Sequence, residues 1–92
     1  MSDLLIEAKA LFDQNELAGS MEVVNRLIIN DQGNPDAYLL RARIQNKMQQ
    51  WGKAINDYSS VLEIDPDNGE AKSGIERIKN ILGYFTPDMF NP

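Results

Sequence analysis

Residues 51–68 read WGKAINDYSSVLEIDPDN and contain a helix, its end and the start signal of another helix. Apolar side chains recur at helical spacing between Trp51 and Leu62, which predicts an amphipathic helix. Residues 65–67 then stop this helix, because proline and aspartate do not continue it. Asn68 follows at once and is a favoured N-cap residue. A chain that ends one helix and begins a second so abruptly is expected to fold back on itself.

The same signals predict five helices, at about residues 3–14, 17–29, 35–47, 51–64 and 69–82. Asn34 and Pro35 supply the N-cap and first position of the third helix. Gly83 is expected to close the fifth helix, because glycine commonly follows helix ends. The remaining tail, residues 84–92, contains two prolines and shows no helical period.

Composition restricts the classes of function. The chain of 92 residues carries a formal charge of −5, with no histidine and no cysteine. It therefore lacks the commonest general base, the commonest metal ligand and any thiolate site. An acidic chain is repelled by phosphate backbones and anionic lipid, so we expect neither a nucleic-acid nor a membrane partner. No signal peptide is recognisable at the N-terminus, and we expect a cytoplasmic protein.

The chain also matches itself when residue 1 is aligned with residue 35, and this shift is its repeat period. Both units place small residues and apolar residues at the same positions, and each unit ends with an aspartate and an asparagine. The corresponding pairs are Leu5 and Leu39, Ala8 and Ala42, Ser20 and Ala54, Val24 and Tyr58, Leu27 and Val61, Asp31 and Asp65, and Asn34 and Asn68. A two-helix unit with this period cannot bury its apolar face alone, which predicts a stacked solenoid.

This pattern resembles the tetratricopeptide repeat (TPR) family, whose motif is W-x2-L-G-x2-Y, then A-x3-F, then P. The second unit departs from the motif at Arg41, where leucine is usual, and at Gln45, where tyrosine is usual. It follows the motif in character at Tyr38, Ala42, Ala54, Tyr58 and Pro66. The first unit is a weaker match, through Leu4, Ala8, Leu11, Ser20 and Val24.

The resemblance implies an all-α solenoid of antiparallel helix pairs with five helices. Its repeats would span about residues 1–34 and 35–68, followed by a capping helix at about 69–83. Glu76 falls in the small-residue position of that last helix, so a further helix packed closely there would bury a charge. Ile75, Ile78, Ile81 and Leu82 are expected to face the preceding repeat.

In this family the first helices of successive repeats line a concave groove that holds a peptide, and no catalysis or cofactor is implied. Lys9, Arg43 and Arg77 follow one another at the repeat period, which favours an acidic partner. The alternative is a solvated basic face that balances acids such as Asp13 and Asp36. The candidate groove residues are Leu5, Lys9, Phe12, Leu39, Arg43, Asn46, Lys47, Ser73, Arg77 and Asn80.

One TPR subclass clamps the acidic C-termini of chaperones with lysines, asparagines and an arginine. Only Lys9 keeps the charge at those positions, so the resemblance does not extend to chaperone binding. The five positions hold Leu5, Lys9, Leu40, Glu70 and Gly74.

Residues 65–70 superficially resemble a calcium loop, but no glutamate follows at the required distance, and a helix stop with an N-cap explains them.

Two questions stay open from the sequence. The domain is expected to be a non-enzymatic adaptor, and the alternative is a structural or self-associating module that docks into a larger assembly. Four large apolar residues of the tail are expected to dock on their own chain or on another copy, giving a monomer or a weak homodimer, unless the tail is free. These residues are Tyr84, Phe85, Met89 and Phe90.

Overall fold

A computed structural model of the chain describes residues 3–85, which form five helices and no strand. The helices are α1 (Asp3–Asp13), α2 (Leu17–Asn30), α3 (Pro35–Lys47), α4 (Trp51–Ile64) and α5 (Gly69–Phe85). α2 and α4 start one repeat period apart, as do α3 and α5, so the sequence period is also the structural period. The prediction of an all-α solenoid is confirmed.

Side-chain caps and tight turns separate the helices. The Asn34 side chain accepts a hydrogen bond from the Asp36 backbone N–H at 3.0 Å, with Pro35 at the first helical position. The Asn68 side chain accepts one from the Ala71 N–H at 2.9 Å. Both predicted N-caps are therefore confirmed. Within each repeat the turn passes through one left-handed residue, Asn15 (φ 62°) or Gln49 (φ 59°), and these two residues occupy equivalent positions in the two repeats.

The core consists of two clusters that share α3. The first lies between α1, α2 and α3, and its buried members are Ala8, Val23, Val24, Leu27, Ala37, Leu40 and Ile44. The second lies between α3, α4 and α5, and its buried members are Leu39, Ala42, Ala54, Tyr58, Val61, Ala71 and Ile78. Because α3 contributes to both clusters, neither repeat has a core of its own.

Small residues allow the paired helices to approach closely. Ala8, Ser20, Ala42 and Ala54 are fully buried, as the repeat predicted. The Ser20 hydroxyl donates to the Ala8 backbone carbonyl at 2.7 Å, so the buried polar group at this contact is satisfied.

α5 packs one face against α4 and leaves the other open. Ile78 is fully buried, and Ile75 and Leu82 pack against the second cluster, as predicted, whereas Ile81 is only half-buried. Glu76 is exposed beside Lys72 and Lys79. The charged open face is the one expected for a capping helix.

The predicted helix end at Gly83 is wrong, because α5 continues to Phe85. Gly83 is helical and does not adopt the left-handed conformation that ends many helices. Glycine permits a helix to stop but does not impose it. Residues 86–92 lie outside the described part of the chain, and the proposed docking of the tail stays a prediction, as does the division into units 1–34, 35–68 and 69–83.

Candidate functional site

Two contacts bring α1, α3 and α5 together on one face of the molecule. The Lys47 ammonium on α3 lies 5.4 Å from the centroid of the Phe12 ring on α1. On the other side of α3, the Arg43 guanidinium pairs with the Glu70 carboxylate of α5. The first helices are therefore neighbours, and three predicted groove residues, Phe12, Arg43 and Lys47, take part in these contacts.

Arg43 and Glu70 form a bidentate ion pair. The Arg43 Nε donates to Glu70 Oε2 and the Arg43 Nη2 to Glu70 Oε1, both at 2.6 Å. Hydrogen bonding to this guanidinium lowers the pKa of the Glu70 carboxyl, and the carboxylate in turn raises the pKa of Arg43. The middle of the three predicted cations is thus already neutralised by the protein itself.

Tyr58, on α4, packs its ring against Gly74 of α5. Its side chain is 1% exposed, and burial raises the pKa of its hydroxyl while the nearby positive charge of Arg77 opposes that rise. Glu70 and Arg43 also act electrostatically on this hydroxyl. Tyr58 is therefore surrounded by the charged side chains of the groove, although the sequence assigned it only to the core.

Two of the predicted cations form no salt bridge among the described residues. Within residues 3–85 the only salt bridges are Arg41 with Asp57 and Arg43 with Glu70. Lys9 and Arg77 are exposed and belong to neither pair. Arg77 nevertheless lies close enough to Glu70 for its charge to lower the pKa of that carboxyl.

The other predicted groove residues differ in accessibility. Ser73 and Asn80 are exposed, and Leu5 and Phe12 are half-buried against the first cluster. Leu39 is only 8% exposed and belongs to the second cluster, so it offers little surface to a ligand. The Asn46 side-chain oxygen is buried and has no hydrogen-bond partner, so it offers no surface to a ligand as the side chain stands.

Sequence reasoning missed the role of Glu70 in the groove. A signal was present, because Glu70 lies one repeat period after Asp36, an acid that the sequence placed beside the three cations.

The structure also explains Arg41, which departs from the family motif. Its Nε and Nη2 donate to the two carboxylate oxygens of Asp57 at 2.7 and 2.9 Å. Its Nη1 donates to Asn25 Oδ1 at 2.9 Å, so this network joins α2, α3 and α4.

The described residues contain neither a metal-binding cluster nor a membrane-spanning helix. Among residues 3–85 no group of three or more aspartate or glutamate side chains is arranged to hold a metal ion. No helix in the same range is both long and apolar enough to cross a membrane.

The chain is similar to several known proteins, although no family model matches it. The DnaJ homolog subfamily C member 3 homolog of Dictyostelium discoideum is 40% identical over 73 residues, which are 79% of this chain and 14% of that protein. The chain spans only 13 to 17% of the length of the DnaJ-related proteins it matches.

Two solved structures have the same architecture. The NMR structure of the first TPR domain of human RPAP3 superposes with a TM-score of 0.82 at 26% identity, over 88% of this chain and 64% of that one. The first TPR of Spaghetti (RPAP3), bound to the HSP90 peptide SRMEEVD, gives a TM-score of 0.80 at 28% identity, over 83% of this chain and 60% of that one. The chain belongs to the tetratricopeptide repeat family.

Proposed function

We propose that this TPR domain is a non-enzymatic interaction module that binds an acidic peptide or protein segment in the groove of α1, α3 and α5. The observation that carries the proposal is the pair of exposed cations, Lys9 and Arg77, that form no salt bridge within the described residues. Charge-assisted hydrogen bonds to such groups are stronger than neutral ones.

Similarity to a peptide-bound structure supports the proposal. The related RPAP3 domain holds the HSP90 peptide SRMEEVD, which carries two glutamates and one aspartate. In this chain, however, the chaperone-clamp positions contain a buried Leu40, a paired Glu70 and Gly74. We therefore propose that side-chain carboxylates of the ligand are recognised here, with Lys9 and Arg77 as their partners, and that the terminal carboxylate contributes little.

The test is a titration of fluorescently labelled SRMEEVD, followed by anisotropy, against two doubly substituted proteins. Lys9→Glu with Arg77→Glu should weaken binding at least about tenfold, because each change replaces attraction by repulsion. Arg26→Glu with Lys53→Glu, at exposed positions on α2 and α4, changes the formal charge equally and is the matched control. Affinity should fall between about 0.1 M and about 1 M salt, since the Debye length shrinks from about 10 Å to about 3 Å.

Two outcomes would contradict the proposal. If both double variants lost the same affinity, net charge rather than the groove would be responsible. If the C-terminally amidated peptide bound more than about tenfold weaker than the free acid, the terminal carboxylate would be the recognised group. Far-UV circular dichroism of each variant verifies that the helices are intact.

The alternative, a structural or self-associating module, is favoured by one observation. An open cleft of about 440 Å³ lies on the terminal face between α4 and α5, lined by Leu62, Lys72, Ile75, Glu76 and Lys79. On this alternative the cleft holds a helix of another chain. Sedimentation should then show self-association that Lys72→Glu with Lys79→Glu removes, and a monomer at all concentrations would argue against contact between copies.

A further inference from the structure

A second cleft lies away from the groove, between α2, α3 and α4. Its volume is about 340 Å³, within the range of small-molecule and side-chain pockets. Its lining comes from α2, α3, the turn after α3 and the first turn of α4, whereas the groove is predicted along the first helices. The lining residues are Met21, Asn25, Arg41, Gln45, Met48, Gln50 and Lys53.

The cleft occurs where the chain departs from the family motif. Arg41 and Gln45 stand one helical turn apart on α3, at the positions usually held by leucine and tyrosine. Asp57 and Asn25 hold the guanidinium of Arg41 at its edge. Gln45 is shorter than tyrosine and carries no ring. The cleft opens beside the Gln45 side chain.

The side-chain oxygen of Gln45, which lines the cleft, has no hydrogen-bond donor. The residue is 6% exposed, and its side-chain Oε1 is buried with no hydrogen-bond partner. The Gln50 backbone N–H donates to the backbone carbonyl of Gln45 at 2.8 Å, so it does not serve the side chain. A buried unpaired acceptor destabilises a protein. Rotation about the terminal torsion of Gln45 would turn Oε1 toward the cleft, where a donor supplied from outside would remove that penalty.

The chemistry of the lining selects among ligands. An aliphatic or phenylalanine side chain cannot hydrogen-bond to an amide, and a carboxylate cannot donate to Oε1. A phenolic hydroxyl both donates and accepts, so it pairs with the Gln45 amide in either orientation of its terminal torsion. Met21 and Met48 supply thioethers, which make favourable contacts with aromatic rings. Met48 is 42% exposed, although it is a large apolar residue.

We propose that this cleft binds a tyrosine side chain of a partner protein, with the ring between Met21 and Met48 and the hydroxyl on the Gln45 amide. The partner's tyrosine fills the volume that a tyrosine of the chain itself occupies in the family motif. Buried tyrosines are frequent anchors of protein interfaces because they combine a large apolar area with one polar atom. The site is separate from the acidic-peptide groove and does not depend on it.

The probes are N-acetyl-tyrosinamide and N-acetyl-phenylalaninamide, titrated into the whole chain labelled at its methionine methyls and at nitrogen. The tyrosine probe should shift the Met21, Met48 and Gln45 resonances saturably. The phenylalanine probe should bind about tenfold more weakly, the ratio that one buried neutral hydrogen bond supplies. In Gln45→Leu the two probes should bind equally, and in Met48→Ala both should weaken together while the tyrosine preference remains.

Two control variants test whether the shifts originate in this cleft. Lys9→Glu with Arg77→Glu should leave the tyrosine probe unaffected, whether or not that variant still binds acidic peptides. Gln45→Tyr should block the probe by filling the cleft from within. Equal affinity of the two probes for the unaltered chain would overturn the proposal, as would the absence of saturable shifts. Because Met48 is partly exposed, Met48→Ala keeps the test decisive if Gln45→Leu fails to fold.

Discussion

At the scale of single residues, two charged side chains replace apolar ones, and the structure pairs them. Arg41 occupies a leucine position, and Asp57 is the counterpart of Val23 in the first repeat. Their side chains are 25% and 6% exposed. An ion pair in such surroundings contributes little net stability, but the loss of one partner leaves a costly unpaired charge.

Asp57→Ala should therefore lower the free energy of unfolding by about 2–3 kcal/mol, below the usual cost for a fully buried pair because Arg41 is partly exposed. Urea denaturation measures the change. Glu63→Ala, an exposed acid on the same helix, is the control and should have an effect within about 0.5 kcal/mol. The double variant Arg41→Leu with Asp57→Val should be more stable than Asp57→Ala. An Asp57→Ala protein as stable as the control would contradict this account.

The Arg43–Glu70 pair predicts a small dependence of stability on pH. Because the pKa of the Glu70 carboxyl is lowered in the folded protein, the pair stabilises above the unfolded value of about 4.3 and loses its effect as pH falls through the folded value. Both side chains are more than a third exposed, so the contribution is at most about 1 kcal/mol. In a carboxyl NMR titration, Arg43→Gln should raise the Glu70 pKa and Lys47→Gln should leave it near its original value. An unchanged pKa in Arg43→Gln would refute the pairing.

At the scale of helices, the two interfaces between repeats exchange large and small residues. In the first cluster Val24 on α2 accompanies Leu40 on α3. Their counterparts one repeat period later are Tyr58 on α4 and Gly74 on α5. A Cβ atom at Gly74 would lie 2.6 Å from Tyr58 Cε2 and Cζ, closer than real Cβ contacts. The large side chain thus comes from α3 (Leu40) at the first interface and from α4 (Tyr58) at the second.

This exchange predicts that Gly74→Ala changes the free energy of unfolding in opposite directions in the presence and absence of the Tyr58 ring. Gly74→Ala should destabilise the protein by about 1–2 kcal/mol, because the overpacking cost exceeds the gain in helix propensity. In a Tyr58→Val background the same change should stabilise by about 0.5–1 kcal/mol, since the clash is absent and only the propensity term remains. Thermal or urea unfolding of the four proteins gives the cycle. If Gly74→Ala had the same effect in both backgrounds, α5 would not approach α4 as described.

At the scale of the whole molecule, α3 joins the two clusters, and we expect them to unfold as one cooperative unit. Leu40 and Ile44 point into the first cluster, and Leu39 and Ala42 into the second. Trp51, the single tryptophan, packs only against the second. Its fluorescence therefore reports one cluster, whereas far-UV circular dichroism reports all five helices.

Leu40→Ala should lower the unfolding midpoint by the same amount in both signals, although Trp51 does not pack on the altered cluster. The expected cost is about 2–5 kcal/mol, the usual range for a buried leucine. Ile29→Ala, at a residue 73% exposed, is the control and should change stability by less than about 0.5 kcal/mol. A Trp51 transition that ignored Leu40→Ala would show that the repeats unfold independently.

The sequence by itself determined the parts of this protein that depend on neighbours along the chain. The bounds predicted for the third and fourth helices match α3 and α4, because Pro35 and the turn at Gln49 act within a few residues. The N-caps at Asn34 and Asn68 have the same origin. The repeat period and the four small contact positions followed from self-similarity. Gly83 is the local signal that failed, since glycine allows a helix end without requiring one.

Only the tertiary structure decided which side chains meet. Glu70 neutralises Arg43 across 27 residues, and Asp57 pairs with Arg41 across 16. The sequence placed Arg43 on the groove but could not show that its charge is already paired. It identified Arg41 and Gln45 as departures but not the cleft between them. The physical reason is that such contacts depend on how closely the helices stack, which residues on different helices determine together.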